Sequence, residues 1–262
     1  SKRDLNANKG AIEDFNKAIE LDPNNANAYN NRGNSKKGLN DNKGAIEDFN
    51  KAIELDPNDS MAYYNRGNSK RDLNDNKGAI EDFNKAIELD SNNYITYYNR
   101  GISKSRLNDD KGAIEDYTKA IELNPDDSDS YTNRGVSKKT LEDFNGAIED
   151  FNKAIELDSN NDSAYYNRGF SKVDLNDYKG AISDFSKYIE LNPNEADGYV
   201  WLVKHCSTTV LTESEPECSW NTYANETLTT EIMGLAEQNS SESQCKALCN
   251  KNRKCMAINY NP

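Results

Sequence analysis

The chain repeats itself every 34 residues, and that period constrains its fold more than any single motif. The string Ala28-Tyr29-Asn30-Asn31-Arg32-Gly33 returns, lightly varied, at 62–67, 96–101, 130–135 and 164–169. A second string, Gly10-Ala11-Ile12-Glu13-Asp14-Phe15, returns from 44, 78, 112, 146 and 180, with Tyr117 once in the aromatic slot and Ser183 once in place of glutamate. A leading half repeat (1–25) is thus followed by full repeats at 26–59, 60–93, 94–127, 128–161 and 162–195. One such unit is too short to enclose a core, so successive units must bury one another's apolar stripes.

Inside the repeat 26–59, Tyr29, Gly33 and Leu39 mark a first segment, and Ala45, Ile46, Phe49, Ala52 and Ile53 a second. Spacings of three and four put each set on one helical face. Asn40-Asp41-Asn42 breaks the first helix, and Asp56-Pro57-Asn58 ends the second, because proline cannot continue a helix. Each repeat therefore reads as a helical hairpin. Gly33 and Ala45 are small where the paired helices approach, Ala52 where the next unit docks, and Tyr29 and Phe49 fill the space between.

This pattern resembles the tetratricopeptide repeat, with small residues at repeat positions 8, 20 and 27, aromatics at 4 and 24, and proline at 32. The resemblance covers Ser1 to about Glu195 and implies an all-α helical-hairpin solenoid wound as a right-handed superhelix, used for binding proteins. Ser91 and Ser159 depart from it where Pro57 stands, and Tyr188 replaces the small residue equivalent to Ala52. The last substitution predicts a changed stacking surface at the final repeat.

Two rows of polar residues recur with the period. Position 7 is arginine (Arg32, Arg66, Arg100, Arg134, Arg168), and each second helix carries an aspartate just before its aromatic (Asp48, Asp82, Asp116, Asp150, Asp184). Planar guanidinium and carboxylate suit structural ion pairs; an arginine row reading ligand carboxylates is the sharper alternative. Position 6 is asparagine: Asn31, Asn65, Asn99, Asn133 and Asn167. In tetratricopeptide arrays this helix lines the concave groove, and a similar ladder in the superhelix of O-linked N-acetylglucosamine transferase grips the backbone of extended peptides. An amide both donates and accepts, so it can pair with any peptide bond. Tyr64, Tyr98 and Tyr166, one residue earlier, would add apolar contact area; the alternative is a simply solvated asparagine row. The carboxylate clamp of co-chaperone repeats is a poor match, since Asn30, Tyr64, Tyr98, Thr132 and Tyr166 occupy slots where a clamp lysine would stand. The run Asp72 to Gly78 imitates a calcium loop, but its glycine falls one place late and Phe83 stands where the bidentate glutamate belongs.

Composition narrows the function further. The formal charge is −13, with −11 on residues 1–197, a field that repels a phosphate backbone and argues against nucleic acid. Only 35% of the residues are hydrophobic, and no apolar run approaches the roughly 20 residues of a membrane span. The single histidine, His205, gives nucleophilic catalysis no base within the repeats, and no phosphate-binding glycine loop or metalloprotease helix is present. No enzymatic activity and no cofactor are expected.

The composition changes after the last repeat. Residues 196–206, including Tyr199, Trp201 and Leu202, read as a capping helix, 207–217 as a linker, and all five cysteines (Cys206, Cys218, Cys245, Cys249, Cys255) lie beyond residue 205. The Cys-x3-Cys-x5-Cys run ending in Ala257-Ile258-Asn259-Tyr260 resembles the first part of a PAN/apple module, placing a small α+β, cysteine-bearing fragment at 218–262. That resemblance implies a disulfide between Cys249 and Cys255 and an oxidising compartment. A metal site or free thiols are the alternatives, and zinc lacks its usual four ligands. The sequons at Asn225 and Asn239 are compatible with secretion.

The expected function is a protein-interaction scaffold holding an extended peptide in the concave groove. The alternative is a secreted or surface adhesion protein whose tail binds protein or carbohydrate, with the repeats as spacer. The tail favours an extracytoplasmic location over a cytoplasmic one. Because the sequence opens inside a repeat and stops inside the apple-like run, further sequence is expected at both ends.

Overall fold

The computed structural model describes residues 2–193, with side chains from Leu5 onward. The capping helix, linker, apple-like segment, Cys249–Cys255 pairing and sequons expected after residue 195 lie outside the described residues. Among the described residues there are eleven α-helices and no strands. They are α1 (Lys2–Leu21), α2 (Ala26–Gly38), α3 (Asn42–Leu55), α4 (Ser60–Asp72), α5 (Asn76–Leu89), α6 (Tyr94–Ser105), α7 (Asp110–Leu123), α8 (Ser128–Thr140), α9 (Phe144–Leu157), α10 (Asp162–Asp174) and α11 (Tyr178–Leu191). The chain divides into two compact units at Leu141, the first holding α1–α8 and the second α9–α11.

Local chemistry sets each hairpin. The first helix ends at a left-handed residue, Asn40, Asn74, Asn108, Glu142 or Asn176, with φ between 61° and 65°. Asparagine tolerates this region better than most non-glycine residues, which explains four of the five choices. An aspartate follows at once and caps the next helix: Asp41 accepts from the Gly44 amide at 3.0 Å, and Asp75, Asp109, Asp143 and Asp177 repeat the bond. The half repeat lacks this device. Ala7 stands where Asp41 does, so nothing caps a second start and α1 runs unbroken for 20 residues. At the far end of α3 the Asp56 carboxylate accepts from the Asn58 amide at 3.0 Å and turns the chain into the next repeat, and Asp22, Asp90 and Asp158 repeat the bond after α1, α5 and α9.

The core of each unit is built from small residues and aromatic rings. Ala45, Phe49 and Ala52 are fully buried, as are their equivalents Ala79 with Phe83 and Ala147 with Phe151. Gly33 is required by contact: a Cβ there would come 2.6 Å from Phe49 Cε1. Tyr29 is only half-buried, and its ring lies 5.3 Å beneath the Arg32 guanidinium instead of filling the core. In the first unit each helix packs on the next, and α2, α4, α6 and α8 also touch in succession. The second helices make no comparable row, so the first helices lie on the inner side of the stack in that unit.

In the second unit Tyr188, the residue out of pattern, turns to Tyr166, with ring centroids 4.9 Å apart. Phe170 and Phe185 complete an aromatic cluster around buried Ala181 and Ile189. A bulky ring at this position is thus absorbed within the last hairpin.

Candidate functional site

Two polar systems run through the helices. The first is built on the position-7 arginines. Arg32 meets Asp48 side-on, Nε to Oδ2 at 2.9 Å and Nη2 to Oδ1 at 2.6 Å, and its Nη1 donates to Asn16 on the preceding second helix at 2.8 Å. Lys36, one turn further along α2, places Nζ 2.8 Å from Asp48 Oδ2. Sequence reasoning missed this lysine, although it recurs every 34 residues as Lys70, Lys104, Lys138 and Lys172. Arg66 with Asp82, Arg100 with Asp116 and Arg168 with Asp184 repeat the geometry, each with its lysine at 2.7–2.9 Å. Arg134 Nη1 donates to Thr118 at 3.1 Å, and Asp150 is buried in the second unit.

Asp48, Asp82, Asp116 and Asp184 are thus each buried between two cations, and the guanidiniums also tie each repeat to the one before. The hydrogen bond to Asp48 holds the Arg32 pKa above its ordinary value despite burial. These arginines have their donors committed within the fold, so as a row they have little left to read a ligand carboxylate.

The second system is the position-6 asparagines, and they do not form a uniform ladder. Asn31 is exposed. Asn65 and Asn99 are buried; the first donates to Asn30 Oδ1 at 3.1 Å, the second to Tyr64 Oη at 3.2 Å and to the Ile95 carbonyl at 2.8 Å. Asn99 also accepts from Arg71 Nη1, so that both amide donors and one of the two oxygen lone pairs are engaged within the fold. Asn133 is half-buried and donates to Tyr98 Oη at 2.9 Å. Asn167, in the second unit, donates to the Ser163 carbonyl at 2.9 Å.

In the first unit, three of these asparagines therefore reach back 35 residues to position 5 of the preceding repeat. The tyrosines receive these bonds while their rings lean on the core aromatics, Tyr64 on Phe83 at 6.1 Å and Tyr98 on Tyr117 at 6.0 Å. Burial, helped by Asp129 and Asp127, pushes the Tyr98 hydroxyl up to about 12. Tyr166 belongs to the aromatic cluster of the last hairpin. On the same inner face of the first unit, Met61 and Ile95 are exposed apolar side chains one repeat apart, a feature sequence reasoning passed over.

No group of histidine, cysteine and acidic residues among the described residues is arranged to hold a metal, and no helix there is long and apolar enough to cross a membrane. What the inner face of the first unit offers is a strip of amides, phenols and isolated apolar side chains carried on rigid helices.

Comparison with known proteins gives a consistent picture. Family models described as TPR repeat match residues 1–39 and 140–174, and others described as tetratricopeptide repeat match 26–59, 60–93, 94–127, 116–149 and 162–195. Among solved structures, YrrB, described as a TPR protein with an unusual peptide-binding site, is 27% identical, with a TM-score of 0.63 over 72% of this chain and 97% of that one. The MamA protein is 26% identical, with a TM-score of 0.60 over 65% of this chain and 93% of its own. The pilF protein of Pseudomonas aeruginosa, at 20% identity and a TM-score of 0.61 over 68% and 81%, shares the fold. No curated protein matches the sequence.

Proposed function

The chain belongs to the tetratricopeptide repeat family, and from that premise we propose that it is a non-enzymatic interaction scaffold that binds an extended peptide across α2, α4, α6 and α8. The observation that carries this reading is the inner face of the first unit, where the half-buried Asn133 and Tyr98 share the row of first helices with the exposed apolar side chains Met61 and Ile95. The peptide-binding site of YrrB, a protein of the same architecture, supports it.

The asparagines divide the work. Asn31 and Asn133 supply amide groups to the peptide backbone, while Asn65 holds Asn30 and Asn99 holds Tyr64 in place. Tyr64 and Tyr98, with Met61 and Ile95, give apolar area between them. Within the second unit, Asn167 and Tyr166 carry the same amide and phenol groups.

The test is capture of an immobilised random peptide array by the wild type and by an Asn31→Ala, Asn133→Ala double variant. Asn31 makes no side-chain hydrogen bond among the described residues and Asn133 makes one, so little stability is lost. Weaker capture by a stable variant supports the reading; equal capture rejects it.

A second role falls to the tail, which carries all five cysteines of the chain. As an apple-like module it would bind protein or carbohydrate, with the repeats as spacer. Glycan-array binding that survives the double variant would favour it.

A further inference from the structure

Resting on the peptide-binding reading, we propose that Lys37 and Arg71 form an acid-reading subsite beside the asparagine row, taking the side-chain carboxylate of a glutamate or aspartate within the bound peptide. Elsewhere in the first unit, half-buried cations are matched: Lys36, Lys70 and Lys104 each lie within 2.8–2.9 Å of a buried aspartate that also meets an arginine. Lys37 and Arg71 break that rule. They share a single carboxylate, Asp72, with Lys37 Nζ at 3.7 Å and Arg71 Nη2 at 3.6 Å, both ion-pair contacts too long for a hydrogen bond. Arg71 Nε is buried without a partner. The site holds two positive charges and one negative, with donors left over, inside a repeat region whose own net charge is −11.

Placement ties this excess charge to the peptide track. Arg71, in the last turn of α4, reaches across to Asn99 on α6, so it borders the row that the peptide would follow. Lys37 sits at the equivalent place on α2. Six residues separate this position from the asparagine row, about 9 Å along a helix axis. The long Arg71 side chain covers that offset, since its Nη1 already meets Asn99, so an acidic side chain of a peptide lying over the row comes within its reach.

Charge selects among anions. One carboxylate brings the cluster to neutrality, whereas a phosphate group at about −2 overshoots and meets Asp72. Burial and Arg71 both lower the Lys37 pKa, while Asp72 opposes them, the condition of a cation short of negative partners.

The experiment reads residue preference from an immobilised random decapeptide array, using the full chain as wild type, Lys37→Gln, and Lys43→Gln as a charge control on α3, with phosphoserine peptides included. The wild type and Lys43→Gln should capture peptides enriched in Glu or Asp at one internal position, with Glu→Gln in a captured peptide weakening binding about fivefold. Lys37→Gln should still capture peptides but lose that enrichment. The same acid preference in Lys37→Gln, no acid preference in the wild type, or a preference for phosphoserine over glutamate overturns the subsite and leaves peptide binding standing. No capture by the wild type overturns the peptide-binding reading itself.

Discussion

Asn133 on α8 donates its amide to the Tyr98 hydroxyl on α6 across 2.9 Å, so a side chain at the expected binding row fastens one repeat to the next. The tyrosine is held neutral by the same packing. Its folded pKa, about 12, stands above the ordinary 10.0, so its contribution to stability is complete below pH 10 and is lost as pH rises toward 12. Urea unfolding at steps through that range should show stability falling more steeply in the wild type than in Tyr98→Phe. Parallel slopes would show that Tyr98 ionises alike in both states.

Removing a carboxylate from the Arg-Asp-Lys system should cost far more than a surface ion pair. Asp116 is buried between Arg100 and Lys104, so Asp116→Ala strands two half-buried cations and should destabilise by about 3–5 kcal/mol. Repeat arrays unfold in segments, so hydrogen exchange resolved by helix is the right measurement. Protection should fall first in α6 and α7.

Two glycine substitutions should have opposite signs. A Cβ at Gly101 would meet Tyr117 Cε1 at 2.7 Å, so Gly101→Ala should cost about 1–3 kcal/mol by overpacking. At Gly10 a Cβ meets nothing within 4 Å, because α1 has no capping aspartate beside it. Gly10→Ala should stabilise by about 0.5–1 kcal/mol through helix propensity. Chemical unfolding of both variants checks the pair.

Glu142 holds φ at 64°, where the other four hairpin turns place asparagine. Glu142→Asn should raise stability by about 0.5 kcal/mol, since asparagine adopts left-handed angles at lower cost. A thermal melt that does not move up would mean that the glutamate side chain compensates for its backbone.

The repeat hairpins were legible because the same local devices recur. Proline or an aspartate-led turn, the Asn-Asp break, and glycine facing an aromatic each act within a few residues and announce themselves by their period. The guanidinium-carboxylate row was legible for the same reason, while Lys36 was overlooked because a charged residue on a helix reads as solvated until its burial is known. The asparagine row misled in a more instructive way. Identical residues at identical positions became an amide with one partner, Asn30, at Asn65 and one with three partners at Asn99, because position 5 changes from Asn30 to Tyr64 and because Arg71 replaces Lys37 in the turn that follows. Such differences arise between repeats, where a single period carries no signal.

The central claim is that peptides bind along the first helices of the first unit. Backbone amide chemical shifts of the isotope-labelled chain, followed while a peptide captured from the array is added, test it most directly. The account predicts shifts concentrated in α2, α4, α6 and α8, including Asn31 and Tyr98, with α3, α5 and α7 nearly unmoved. Shifts concentrated on the second helices, or confined to residues beyond 195, would contradict it.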